Sequence, residues 1–245
     1  VTEYIAKKNC QVGVHHELRI AENNDILARL LEEFRSHINR PIAGVFGEDK
    51  QALYVIENLL SSDTKFAVNG QEQLYNIDLT NFTNSKKSND LDYHIEQAKN
   101  IDKAILYKWL KDYDIETLGS DDTPKLIEHV NKKIEQVQNQ KYSYVLLANT
   151  LPVSLCGSNS SLEHVIQIGP VWTPHEHRKK GYAQILLTNL LSLAKDHGVK
   201  KALLFSDNPA AIRIYEKVGF QHCGYYRLAL LKKPVVLSHH TLESN

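Results

Sequence analysis

The sequence predicts an α/β protein with a helix-rich N-terminal module, on three observations. Apolar residues recur at helical spacing through most of the first 130 or so positions. From Tyr142 the texture changes to strand, loop, strand and helix in alternation. Near the C-terminus stands "KKALLFS", apolar on both faces, as a strand covered from two sides would be.

The first module reads as follows. "AENNDILARLLEEFRSHI" places Ile26, Leu30 (or Leu31) and Phe34 on one helical face after an Asn-Asn-Asp start. "RPIAGVFG" is a short buried strand ended by Gly47. "EDKQALYVIENLLSS" repeats the helical pattern through Ala52, Val55, Ile56, Leu59 and Leu60. "KFAVNGQEQLYNIDL" predicts two short strands around Asn69-Gly70, a strong hairpin signal, and "TNFTNSKKSND" a polar loop. "IDKAILYKWLKDYDIETL" is an amphipathic helix. "DDTPKLIEHVNKKIEQVQ" is another, with Thr123 as N-cap and Pro124 at its first position.

In the second module "YSYVLLANTLPVSLCGS" predicts two strands joined by a tight turn at 149–152. "HVIQIGPVWT" is a strand rich in β-branched residues, interrupted by Gly169-Pro170. A helix from Gly181 to His197 follows, with Ala183, Leu186, Leu187, Leu190, Leu191 and Ala194 on one face and Gly198 as its stop. After "KKALLFS", Asn208 caps a helix that has Pro209 first and ends at Gly219. "FQHCGYYRLALL" is a last strand or bent hairpin, and the chain then runs into a frayed tail. The division expected is 1–130, 131–236 and a tail of 237–245.

Composition narrows the function. Lys plus Arg and Asp plus Glu number 29 each, so no net field draws the chain to polyanions or membranes. Three cysteines, Cys10, Cys156 and Cys223, are odd in number and lie far apart, which excludes a disulfide framework and fits a reducing cytoplasm. No apolar run reaches the ~18 residues that span a bilayer. The expectation is a cytoplasmic protein without nucleic-acid or membrane partners, monomer or homodimer. His175 and His177 lack a third ligand nearby, so no metal is expected.

The stretch "PHEHRKKGYAQILL" carries chemistry. A helix start leaves peptide N–H groups unpaired and binds anions without special side chains. Gly181 admits a close approach to the backbone, Ala183 keeps it open, and Arg178, Lys179 and Lys180 add positive charge. The product is a pyrophosphate cradle.

Arg178-x-x-Gly181-x-Ala183 resembles the pyrophosphate-loop signature of the GNAT superfamily of acyl-CoA N-acetyltransferases. "GPVWTP" resembles that family's fourth strand. "DNPAAIRIYEKVGF" resembles its second signature at Asn208, Ala211, Tyr215, Gly219 and Phe220. One such motif arises often by chance, whereas two in order and at the right separation do not. The resemblance covers roughly 142–231. More loosely, the first half resembles the degenerate GNAT-like module of tandem-type members, without a pyrophosphate loop of its own.

The resemblance implies a mixed, mostly antiparallel sheet, splayed between its fourth and fifth strands to admit the pantetheine arm. Acetyl-CoA is the implied cosubstrate, attacked directly by a primary amine, small molecule or peptide, through a tetrahedral intermediate. Val171, Trp172 and Thr173 line the thioester end, with a peptide N–H of Val171 or Thr173 holding the oxyanion. Arg178, Lys179, Lys180, Gly181, Tyr182, Ala183 and Gln184 form the phosphate loop, and Asn208 and Ala211 flank the pantetheine. Tyr215 is the general acid towards the departing thiolate. Glu163 and His164 are the candidate bases, and Glu176 is a weaker one. The rival reading is a non-catalytic CoA-binding regulatory module.

Overall fold

The computed structural model describes residues 12–13, 24–38, 40–83 and 93–237. Cys10, the His15-His16 and His239-His240 pairs, the tail from 238 and most of the polar loop after Thr83 lie outside the described residues. Along the chain come Val12–Gly13 (β1), Asn24–His37 (α1), Ile42–Glu48 (β2), Asp49–Leu59 (α2) and Phe66–Asp78 (β3). Then follow Tyr93–Gln97 (β4), Lys103–Leu118 (α3), Pro124–Asn139 (α4), Tyr144–Ala148 (β5) and Leu151–Ser161 (β6). Val165–Trp172 (β7), Tyr182–Asp196 (α5), Lys201–Ser206 (β8), Pro209–Val218 (α6) and Gln221–Val235 (β9) complete a mixed α+β fold. β2 with β9, β4 with β5, β5 with β6 and β6 with β7 pair antiparallel, whereas β1 with β2 and β7 with β8 pair in parallel. Among the described residues, no helix is long and apolar enough to cross a membrane.

Two compact units divide the chain. One takes the described residues up to 74 with 205–207 and 223–237; the other takes 75–204 with 208–222. This partition differs from the sequence division at residue 130, because α3 and α4 belong with the second unit.

In the first unit, β2 pairs antiparallel with β9 from Gly44↔Leu230 to Glu48↔Tyr226. The approach is close at Gly44, where a Cβ would lie 2.6 Å from the Ala229 carbonyl oxygen. Ile42, Val45, Ala52, Val55 and Leu59 pack with Ala229 and Leu231 into its core. The Asn69-Gly70 hairpin does not form: β3 runs straight through it. Asn69 Oδ1 accepts from Arg227 at 2.8 Å, Gln71 donates to Asp49 at 2.7 Å, and Arg227 pairs with Asp49 at 2.7 Å. That network holds the stretch extended against its local turn preference.

The second unit has strand order β8-β7-β6-β5-β4. β5 and β6 form the expected hairpin on Asn149 and Thr150, with Asn149 left-handed at φ 56°. Both faces of this sheet are covered. Tyr144, Leu146, Ile166 and Ile168 pack with the α5 face Leu186, Leu187, Leu190 and Leu191. Each of those four leucines is fully buried, a contribution of about 1.5–3 kcal/mol apiece. On the other face Val145, Leu155 and Trp172 pack against Leu106, Trp109 and Leu110 of α3 and Val130 and Ile134 of α4. Asp102 caps α3 by accepting from the Ala104 N–H at 2.8 Å, whereas Thr123 stands at the α4 N-cap without a side-chain bond.

Candidate active site

The site starts with an irregularity in β7. Cys156 pairs with Val171 and Ser158 with Ile168, so one residue of β6 faces two of β7, Gly169 and Pro170. A second shift follows on β6, where Asn159 bulges against Gly169; a Cβ there would meet the Asn159 side chain at 2.5 Å, and the Gly169 φ of 152° favours glycine. The extra β7 residue reverses the side-chain alternation. Ile166 and Ile168 therefore face α5, while Trp172 turns to the opposite cluster beneath α3. The parallel ladder from β7 to β8 ends just before this bulge, at Gln167↔Leu203. Beyond Gln167 no further β7–β8 pairing forms among the described residues. Ser154, fully buried, fixes the end of β7, donating to the Trp172 carbonyl (3.1 Å) and sharing a hydrogen bond with Thr173 Oγ1 (2.9 Å).

The loop after β7 opens with a 3-10 turn at His175–His177, closed by the His177 N–H to Pro174 (2.9 Å) and the Arg178 N–H to His175 (3.2 Å). Two left-handed residues follow, Lys179 at φ 62° and Gly181 at φ 81°. Such turns can direct successive peptide N–H groups at one anion. Gly181 is the N-cap of α5, and no side chain caps that helix, so the first-turn N–H groups of Tyr182, Ala183 and Gln184 carry no side-chain partner. A Cβ on Gly181 would touch nothing within 4 Å, so the residue is fixed by its backbone angle and the space over it is open. Lys179 and Lys180 are exposed beside it. His175 and His177 belong to no cluster of three metal-ligating side chains among the described residues.

Arg178 is not directed into that open space. Its Nη1 and Nη2 bond the two carboxylate oxygens of Glu116 at 2.8 and 2.9 Å, and Nε donates to the Thr173 carbonyl at 2.9 Å. The guanidinium lies 4.9 Å over the Trp172 ring. Glu116 was not found by sequence reasoning, because no local pattern links an α3 residue to a loop 62 positions later.

Asn208 caps α6, its Oδ1 accepting from the N–H groups of Ala210 (2.9 Å) and Ala211 (3.3 Å). Two turns on, Tyr215 is buried at 7% exposure, and burial drives its hydroxyl pKa upward. The Cys156 thiol and the Tyr113 hydroxyl lie within its electrostatic reach and push the same way. Cys156 is itself fully buried, its thiol pushed up to about 12. Tyr215 thus keeps its proton at neutral pH.

Glu163 and His164 are not brought to this place. They precede the first residue of β7, exposed, with His164 bonded to the Gly198 carbonyl at 3.2 Å. At ~3.3 Å per strand residue, the eight residues of β7 put Trp172 some 25 Å away. Glu176 is nearer. It borders a pocket of about 240 Å³ together with Lys108, Asp112, Ile115, Glu116, Trp172 and His175. Its carboxyl is held below the usual range, first by its own backbone N–H and then by nearby His177, Lys108 and His175.

Comparison with known proteins agrees with this geometry. Residues 103–220 match the model of the acetyltransferase (GNAT) family. Over 65 residues the chain is 34% identical to N-acetyltransferase family 8 member 2 of Rattus norvegicus, an alignment covering 26% of this chain and 29% of that protein. The match thus spans under a third of that relative's length. In fold the chain resembles a GCN5-related N-acetyltransferase from Kribbella flavida (TM-score 0.53, 14% identity, 84% of this chain and 76% of that one). It also resembles one from Sphaerobacter thermophilus (TM-score 0.51, 15% identity, 94% and 75%). β7, the loop after it and α5 all lie within residues 103–220, so this part of the chain is a domain of the acetyltransferase (GNAT) family.

Proposed function

We propose that the protein is an acetyl-CoA-dependent N-acetyltransferase acting on a primary amine, carried by a small molecule or a peptide. The observation that carries this reading is the coincidence, at one end of β7, of the finished ladder to β8 with the uncapped start of α5. The peptide N–H groups of 182–184 would hold the pyrophosphate, with Lys179 and Lys180 adding charge. Val171, Trp172 and Thr173 would border the thioester end, and a peptide N–H of Val171 or Thr173 would bond the carbonyl oxygen as charge develops, a contribution of about 3 kcal/mol. Acetyl-CoA supplies the activated acyl group. Asn208 and Ala211 would flank the pantetheine from the α6 cap.

Tyr215 is the proton donor to the departing thiolate in this reading. Burial keeps its proton in place at neutral pH but also makes the phenol a weaker acid, so the role rests on its position on α6, two turns after Asn208, and not on its pKa. A lysine-like amine is only about one part in 10³ neutral at pH 7, so a proton acceptor near the pocket is useful. Ionised Glu176 at the pocket border suits this better than Glu163 or His164. The first half of the chain, in the same proposal, is a GNAT-like module without a phosphate loop.

A thiol-release assay with acetyl-CoA against a panel of amines tests the reading, with Tyr215→Phe as control. Thermal stabilisation by CoA with no amine turned over would replace it by a non-catalytic CoA-binding module. Absence of both would remove CoA from the account.

A further inference from the structure

The Arg178–Glu116 contact carries more than a surface ion pair usually does. Side chains as exposed as these, 30% and 46%, ordinarily contribute about 0–1 kcal/mol to stability. Here, however, the guanidinium uses all three of its nitrogens in fixed directions, two on one carboxylate and one on the Thr173 carbonyl, and lies over the Trp172 ring. A lysine could not reproduce that fork. The loop it belongs to is sparsely held. Between the Arg178 N–H bond to His175 and the Ile185 N–H bond to Gly181, residues 179 and 180 make no backbone hydrogen bond among the described residues, and Lys179 and Gly181 are left-handed. On the upstream side, the Arg178 side chain adds to the 3-10 turn the contacts that tie this span to α3 and to the end of β7.

We infer that Glu116 is a positioning residue for the phosphate loop: through Arg178, α3 sets the path of residues 179–181 and so controls affinity for the pyrophosphate of CoA. The inference rests on the CoA-binding reading above. It also makes Arg178 a clamp whose positive charge is shared with Glu116 rather than offered to phosphate. Glu116 and Trp172 both border the 240 Å³ pocket, so the same clamp joins the pocket wall to the loop.

The test measures CoA dissociation constants by calorimetry, and unliganded melting temperatures, for wild type, Glu116→Gln, Arg178→Lys and the double variant. Glu128→Gln serves as control, since it breaks the exposed Glu128–Lys132 pair on α4. Each single variant is expected to weaken CoA about tenfold, the scale of one charge-assisted hydrogen bond, with melting shifted by only about 2 °C. The double variant should be no worse than the weaker-binding single, because both break one clamp. Glu128→Gln should bind like wild type.

Wild-type affinity in Glu116→Gln would overturn the inference, as would additive losses in the double variant. A large fall in melting temperature with unchanged affinity of the folded protein would also overturn it, leaving an ordinary structural ion pair. Failure of the wild type to bind CoA would instead remove the functional reading beneath it.

Discussion

The starts of α5 and α6 are built in opposite ways. α6 opens on Asn208, whose own Oδ1 takes the N–H groups of Ala210 and Ala211, with Pro209 contributing no donor. α5 opens on Gly181, which has no side chain to offer. One helix end is satisfied by its own sequence. The other has no side-chain cap and opens into free space flanked by two lysines. In the proposed reading the two helices divide the labour: α5 would offer its backbone, and α6 a side chain, Tyr215.

The largest effect that would break this contrast falls on α5. In Gly181→Ala a Cβ enters the open space over the helix start, at a backbone angle that alanine resists. CoA affinity should drop about 100-fold by calorimetry, of the order of losing several charge-assisted bonds. Retained affinity would mean that the phosphates lie elsewhere. Next is the side-chain contribution of α6. Tyr215→Phe should lower kcat by about 10²-fold and leave the CoA dissociation constant nearly unchanged; an unchanged kcat would end the proton-donor role.

A smaller effect separates capping from binding. Asn208→Ala should destabilise the fold by about 1 kcal/mol, read as a lower denaturation midpoint, while Asn208→Asp keeps the cap and most of the stability. If Asn208→Ala instead weakens CoA as much as Gly181→Ala does, the two helix starts are not functionally different. The smallest effect is alkaline. The Cys156 thiol has a folded pKa raised from 9.0 to about 12, and Tyr215 is raised in the same direction by burial. Folded protein therefore holds protons that unfolded chain would release. Their contribution to stability is complete below pH ~9 and is lost as pH rises towards 12. Melting temperatures between pH 8 and 11 should fall with a slope that Cys156→Ala makes shallower.

The sequence by itself determined what depends on near neighbours. Gly181 in a left-handed turn before α5, Asn208 capping α6, the Asn149 turn and the leucine face of α5 all follow from residues within one or two turns of each other. Only the tertiary structure decided the rest, because those features rest on partners far away in sequence. Arg227 and Asp49 overrode the Asn69-Gly70 hairpin signal. β4 escaped notice because its place at the sheet edge comes from pairing with β5, not from its own pattern. Glu163 and His164, read as near the chemistry from their place before β7, stand at the strand's far end, since a strand carries its two ends apart. A one-residue bulge at Gly169-Pro170 decided which face receives Trp172, and a glutamate 62 positions upstream decided where Arg178 points. Local chemistry specified the glycine-opened start of α5, and long-range packing specified the partner of the arginine in the loop before it.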